Sequence, residues 1–400
     1  MGALKVELHG QAIGTLESFA DDSQRFTFDE TYCSQLLHQR PILGQLFEDR
    51  FPNPIMVGGP ICWFAHLLPQ GVMRRWRSKL FTIDEDDTFG FLQQLGNDLP
   101  GAVRLSPTAP ILGSNLPAAQ VKRAGVDVSN FQFSLAGAQW KLSAQSTGRG
   151  LTTAAKSSGK SYIAKFHSPE FPGLPQCEFA TMTWAKAAGI KTPEFELRKL
   201  CDFDQIPEEM PEGDGKVFVI QRFDRSNNDR IHMEDFGQIL DRPPGSHQTH
   251  GEHEELASVI KWVSPHSREA FLNQILFNVI CGNGDAHLKN FSLLYPDSRN
   301  AVLSPAYDLV STTLYFPEGK EDLSLKLNGD RRFQNIELAS FDKILDVLDY
   351  PNIDGRELVV AAVRSAIEAW NLSETKSNFS KEQIEKINRH IDGIPLTQQV

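Results

Sequence analysis

Four things are scarce in this 400-residue chain, and each scarcity narrows what it can be. No apolar run approaches the roughly 18 residues that cross a bilayer. Cysteine is rare. Cys33, Cys62, Cys177, Cys201 and Cys281 are scattered, odd in number and never closely paired. That argues against a zinc site or a disulfide framework and fits a reducing, cytoplasmic setting. Positive charge is in deficit, with 40 Lys and Arg against 51 Asp and Glu and a net charge of −11. A protein that binds DNA mainly by itself is usually basic, so nucleic acid would have to be reached through a basic partner. The glycine motifs G-x-x-x-x-G-K-[ST] and G-x-G-x-x-G are missing as well. The first residues, Met1 to Leu8, alternate like a strand and lack the apolar run and cleavage region of a signal peptide. Val6 stands where a myristoylation signal has Ser or Thr.

What remains is an ordinary globular composition, 40% hydrophobic and 23% charged, on a chain long enough for two or three structural units. Residues 1 to about 30 read as a small sheet, with Leu4, Val6 and Leu8 alternating, then Ile13 to Leu16 and Arg25 to Phe28. A helical run follows from Ile61 to Trp76 and onward to Lys79. Its Arg74, Arg75, Arg77 and Lys79 read either as a phosphate- or partner-binding face or, more simply, as a solvated face near a helix C-terminus. Another helix and a short strand lie between Gly90 and Leu105. Proline- and glycine-bearing stretches around Ser106 to Pro117 read as a linker. The expected division is 1–110, 111–225 and 226–400.

The second stretch opens with Phe131, Phe133 and Leu135 alternating. Tyr162 to Phe166 is a strand carrying Lys165, and Glu178 opens a helix that ends at Gly189. A strand lysine followed by a helix glutamate is how kinases pair lysine with nucleotide phosphates. Val217 to Arg225 reads as a buried strand entering a polar turn, where a kinase hinge would cross an adenine. Gln238 to Glu254 reads as a mobile loop in which His247, His250 and His253 recur at every third position. A zinc site there would also want a catalytic Glu or Cys ligands at defined spacing, so the metal reading is the weaker one.

The third stretch carries the main chemical signal. A helix-like run, Phe271 to Ile280, stops at Gly282 and Gly284. Asp285 follows, and Asn290 comes five positions after it. This D-x-x-x-x-N spacing is that of a kinase catalytic loop, in which the aspartate takes the hydroxyl proton and the asparagine helps hold magnesium. Asp308, after a proline turn, would be a second hard oxygen ligand; a helix N-cap for Leu309 onward is the structural alternative. Ile336 to His390 reads as helical, and 391–400 as a frayed end.

Two blocks make the resemblance specific. Ser134-Leu135-Ala136-Gly137-Ala138-Gln139-Trp140-Lys141 and Gly282-Asn283-Gly284-Asp285-Ala286-His287-Leu288-Lys289-Asn290-Phe291, with Pro305-Ala306-Tyr307-Asp308, resemble the HipA family of bacterial serine/threonine kinase toxins over most of the chain. The resemblance implies an α+β, two-lobed, protein-kinase-like fold. Its N-terminal lobe would be β-rich with an added N-terminal subdomain, and its C-terminal lobe all-α. It implies Asp285 as catalytic base, Asn290 and Asp308 as magnesium ligands, and Lys165 on the ATP phosphates. Ala136, Gly137, Ala138, Gln139, Trp140 and Lys141 would form part of the nucleotide-proximal loop, with His287, Leu288, Lys289, Asn290 and Tyr307 opposite. Gln221, Arg222 and Phe223 would be the hinge, and Asp224 a ribose contact. Ser134 matches the serine whose autophosphorylation shuts off ATP binding. The implied target is an aminoacyl-tRNA synthetase, best known as glutamyl-tRNA synthetase. Its phosphorylation halts translation and gives growth arrest or persistence. The implied partner is a helix-turn-helix antitoxin, HipB, through which DNA is reached. Trp140 stands where family members often have glutamate, and no His-Arg precedes Asp285. The rival readings are a kinase of a small molecule or lipid, and a non-catalytic module that sequesters a partner.

Overall fold

The computed structural model describes residues 2–108, 122–123, 126–127, 139–147, 150–152, 160–204, 206–226, 229–245, 251–350 and 352–400. Ser134, Ala136, Gly137, Ala138, His247 and His250 lie outside the described residues, as does most of the expected linker. The chain divides into two compact units. One is Met1–Pro169, Arg198–Pro244 and Leu294–Arg299; the other is Glu170–Leu197, Gly245–Leu293 and Asn300–Val400.

The first unit is rich in β-structure. The alternation at the N-terminus becomes an antiparallel sheet in the order Ile55–Val57, Gln24–Phe28, Gln11–Ser18, Gly2–Leu8, Val103–Pro107. Leu4, Val6 and Leu8 point one way and are buried with Ile13, Leu16 and Phe26, as period-two patterning requires of a sheet with one covered face. Phe47 meets Phe26 and Trp63 edge-on, with ring centroids 4.9 and 5.2 Å apart. That geometry suits the ring quadrupoles.

A second sheet in this unit places Lys216–Gln221, Ser161–Lys165, Lys141–Thr147, Gly150–Thr152 and Phe203–Asp204 side by side in that order. The helical run expected from Ile61 to Lys79 is two helices, Cys62–Ala65 and Gly71–Phe81. Pro69 lies in the break, where it supplies no amide hydrogen to continue the first helix. The second helix is neither a free basic face nor a wholly solvated one. Its Met73 and Trp76 pack on Leu142, Ala144, Ala164, Val217 and Val219 of the second sheet. Arg77 is buried, with its guanidinium 5.3 Å from the Trp76 ring centre and 5.1 Å from that of Phe81.

Two buried carboxylates organise this unit. Glu234, on the strand His232–Asp235, receives hydrogen bonds from Trp63 Nε1 at 3.0 Å, the Gln45 amide at 3.1 Å and the Tyr295 hydroxyl. Asp224 receives Arg222 Nε at 2.9 Å and Nη2 at 2.8 Å, Arg225 Nη1 at 2.6 Å and the Gly101 amide at 2.9 Å. Burial alone would raise the Asp224 carboxyl, but the guanidinium groups of Arg222 and Arg225 hold it well below the usual carboxylate range.

The second unit is mainly helical. Arg268–Cys281 is buried on nearly every side, with Phe271, Leu272, Ile275, Leu276, Phe277, Val279 and Ile280 all inside. Leu174–Ala187, His253–Val263, Asn352–Asn371 and Lys381–Asp392 are the other long helices of the unit. Trp184 packs on Phe277 and Trp370 at 5.3 and 4.7 Å and donates to the Ala366 carbonyl at 2.7 Å. The helix expected to open at Glu178 begins at Leu174, with Pro175 in its first turn, where its missing amide hydrogen costs nothing. His253 is not in a mobile loop. It opens a helix, is buried and bonds to the Lys326 carbonyl at 3.0 Å, and burial pushes its pKa down to about 4. The terminus is not frayed either: Ile394 and Leu396 are buried, and the Leu396 amide donates to Ile336 O at 2.8 Å. Among the described residues, no helix is long and apolar enough to cross a membrane.

The Glu234 site sets a pH dependence. Burial pushes its carboxyl up to about 7, although the Tyr295, Trp63 and Gln45 bonds pull the other way. The folded state therefore holds a proton that the unfolded state has released, and stability falls as pH rises through about 7. Relative to Glu234→Gln, the wild-type protein should lose on the order of 3 kcal/mol between about pH 5 and about pH 8. Denaturant melts of both proteins across that range measure it; parallel curves would refute it.

Candidate active site

The central helix ends at Gly282. With φ at +69°, this residue has the left-handed conformation that closes helices, and its amide turns back to the Asn278 and Val279 carbonyls. A side chain there would also collide with Thr313, whose Oγ1 would lie 2.4 Å from a Cβ. The chain then enters a polar lattice. Asn283 donates from Nδ2 to Asn278 Oδ1 at 2.9 Å, and its Oδ1 receives the Asp285 amide at 3.2 Å. Its Nδ2 also lies 3.5 Å from the Asp308 carbonyl. Asn278 and Asn283 are both buried.

Gly284 passes against a wall. A Cβ on it would come within 2.2 Å of Glu321 Oε1 and 2.6 Å of the Asp322 carbonyl. Its amide donates to Thr312 Oγ1 at 2.7 Å. Asp285 follows, and it is exposed although residues 281–284 and Ala286 are buried. Its carbonyl accepts the His287 amide at 2.7 Å and Asn290 Nδ2 at 2.9 Å. Leu288–Asn290 forms a single 3-10 turn. The five-residue spacing thus closes a small ring in which Asn290 is tied to the backbone of Asp285. Because the nitrogen end of the amide makes that bond, its oxygen end is turned toward other partners.

Tyr307 braces the far side of the loop. Its hydroxyl lies 2.6 Å from both the Lys289 carbonyl and Ser292 Oγ. Asp308 is not a helix cap, since no helix starts at Leu309; the next turn, Thr312–Leu314, begins after Ser311. Instead Asp308 has a left-handed backbone, φ +54°. Aspartate tolerates that region better than most residues. Neighbours fix it on both sides: the Ala306 amide bonds to Lys191 O at 2.8 Å and the Ser311 amide to Thr181 Oγ1 at 3.2 Å. Asp285, His287, Leu288, Lys289, Asn290, Tyr307 and Asp308 are therefore brought together in the second unit. Asn290 and Asp308 offer the hard oxygen atoms that magnesium prefers, and a nucleotide-bound magnesium needs only one or two such protein groups.

In the first unit, Lys165 and Lys141 are direct cross-strand partners. Both are buried, and opposite residues of an antiparallel pair share a face of the sheet. Gln139 Nε2 donates to the Phe166 carbonyl at 2.7 Å, and the Phe166 amide donates to Trp140 O at 3.0 Å. Trp140 also meets Trp76 at 5.5 Å. These contacts fix the chain on either side of the two lysines.

At the expected hinge, Asp224 is buried and its oxygens receive Arg222, Arg225 and the Gly101 amide. Gln221 ends the strand opposite Tyr162, and the Arg222 amide donates to the Ser161 carbonyl at 2.9 Å. Sequence reasoning assigned no role to Asn278, Asn283, Thr312 or Glu321. An asparagine pair five residues apart across a glycine turn was the visible signal for the first two; Thr312 and Glu321 had none.

The asparagine pair should behave as one unit. Asn283→Ala and Asn278→Ala should each cost about 1–3 kcal/mol by stranding a buried partner. The double variant should cost less than their sum, with a coupling of roughly 1 kcal/mol or more. Denaturant unfolding of the four proteins measures this; strict additivity would show that the bond contributes nothing.

The chain is similar to known proteins over most of its length. The HipA N-terminal domain matches residues 4–106, and the HipA-like C-terminal domain matches residues 133–371. Y4dM of Sinorhizobium fredii, named as a kinase, is 32% identical over 99% of this chain and 98% of its own length. The serine/threonine-protein kinase toxin HipA of Shewanella oneidensis is 22% identical, with 72% of this chain and 71% of that protein covered. The solved complex of the Shewanella oneidensis MR-1 toxin–antitoxin system, HipA with HipB and operator DNA, contains a chain of the same fold. It matches with a TM-score of 0.70 at 20% identity, over 98% of this chain and 96% of that one. The matched domains together span most of the sequence in the order the family has them, and the chain belongs to the HipA family.

Proposed function

We propose that this protein is an ATP- and magnesium-dependent serine/threonine protein kinase that acts as the toxin of a HipBA-like module. The observation that carries the reading is the Asp285 loop. A single exposed carboxylate stands among buried neighbours, and Asn290 is tied to its backbone carbonyl. Bound ATP and magnesium supply the phosphoryl group and the cationic charge that the transfer needs. Asp285 orients the attacking hydroxyl and takes its proton. Asn290 and Asp308 present oxygen atoms to the metal, and the asparagine lattice holds both at fixed positions. Lys165 and Lys141 hold phosphate oxygens. Phosphoryl transfer requires little covalent work from a protein, so positioning and charge account for most of the rate.

The finer assignments follow from kinship. The target is a translation component, an aminoacyl-tRNA synthetase such as glutamyl-tRNA synthetase, and its phosphorylation arrests growth. Phosphorylation of Ser134 by the protein itself switches the site off. A HipB-like helix-turn-helix antitoxin binds the toxin and reaches DNA on its behalf. The functional divisions are an N-terminal subdomain over 1–110, a nucleotide lobe over 111–225 and a catalytic lobe over 226–400, working in the cytoplasm.

Asp285→Asn should lower phosphate incorporation from γ-labelled ATP by roughly 10²-fold or more, with an unchanged circular dichroism spectrum and melting temperature. Expression of the variant should no longer arrest growth. Label incorporated at the wild-type rate would overturn the assignment.

A further inference from the structure

We infer that Thr312 and Glu321 are a positioning pair for the Asp285 loop, acting through the Gly284 amide. This rests on the kinase reading above and adds to it two residues that touch no reacting atom. The Thr312 hydroxyl has one proton to give. It accepts the Gly284 amide at 2.7 Å and lies 2.8 Å from Glu321 Oε1 and 3.2 Å from the Gly282 carbonyl. The carboxylate is both the nearer and the charged acceptor, so it accepts the hydroxyl's hydrogen bond. That choice turns a lone pair of the hydroxyl toward Gly284. The amide immediately before Asp285 is therefore held by a two-bond relay ending on a carboxylate.

Space makes the relay specific. Glu321 Oε1 occupies the position that a Gly284 side chain would fill, at 2.2 Å. Glycine at 284 is thus what lets the carboxylate approach the loop. Thr312 belongs to the turn that follows Asp308. The same hydroxyl consequently links the segment carrying Asp308 to the segment carrying Asp285. Without it, Gly284 keeps its place only through its neighbours, and Asp285 explores more orientations. Misplacement of a reacting group by a fraction of an ångström lowers kcat while leaving nucleotide affinity largely intact.

The test uses the full chain and Mg-ATP, with the initial rate of label transfer from γ-labelled ATP to the protein's own hydroxyl groups giving kcat and KM. Hydrogen exchange over 282–290 is followed alongside. Thr312→Val should lower kcat about ten-fold, with KM for ATP within about two-fold of wild type. Exchange in the loop should quicken. Thr312→Ser, which restores the hydroxyl, should recover both. Glu321→Ala should give a smaller kcat loss of about three-fold, and it carries the comparison if Thr312→Val does not fold. A wild-type protein that incorporates no label overturns the kinase reading itself. An active wild type with undiminished kcat in Thr312→Val, or a loss that Thr312→Ser does not recover, overturns only the positioning role.

Discussion

The hydrogen bond between the side-chain amides of Asn278 and Asn283 is the constraint from which the rest of the loop follows. Both groups are buried, so each must find partners inside the protein or cost a desolvation penalty. Asn278 belongs to a helix whose other faces are almost wholly apolar, and it cannot move without moving that helix. Asn283 inherits this fixity through a 2.9 Å bond and passes it on. Its oxygen takes the Asp285 amide, and its nitrogen also faces the Asp308 carbonyl. One buried amide thereby ties the segments of Asp285 and Asp308 to one another. Apolar packing fixes where the helix ends; polar bonding fixes how the chain leaves it.

The first unit uses buried charge differently. Asp224 is supplied with four donors, three of them on the cationic side chains of Arg222 and Arg225, and stays ionised. Glu234 is also bonded on both oxygens, but its donors are a hydroxyl, an indole and an amide. None carries a positive charge, and burial then dominates. The contrast follows from the low polarisability of the interior: neutral donors satisfy geometry, whereas only opposite charge offsets the lost hydration of a carboxylate. One site is consequently indifferent to pH near neutrality and the other is not.

Much of this was legible in the sequence where periodicity or spacing spoke directly. The helix expected over Phe271 to Ile280 ends within a residue of the turn at Gly282, because a long apolar run followed by glycine admits few alternatives. The strand lysine was visible for the same reason: Lys165 closes an alternation, and strand length is bounded by its neighbours. What was not legible shares a physical origin. The Gly101 donor and the burial around Asp224 are brought there by the fold, not by its own strand. Asp308 reads either as a metal ligand or as a helix cap, because aspartate before an apolar residue is often a cap. Its left-handed backbone lies between Ala306 and Ser311, whose amides bond to Lys191 and Thr181, over one hundred positions away. The end of the chain reads as frayed because composition does not reveal that Leu396 meets Ile336.

Asp308 shows why the loop is held from two directions. Left-handed backbone at a residue with a Cβ costs roughly 1 kcal/mol or more, so it persists only where surrounding bonds fix it. Lys191 holds Ala306 before it, Thr181 holds Ser311 after it, and Asn283 Nδ2 lies 3.5 Å from the Asp308 carbonyl. Asp285 needs no such strain, since its carbonyl is bonded twice and its side chain reaches solvent. A residue that must present a carboxylate at a fixed point is therefore held through its backbone, by strain or by hydrogen bonds, leaving the side chain's direction to follow. The chain does this with asparagine, threonine and tyrosine rather than with apolar contacts, because a hydrogen bond fixes direction as well as distance.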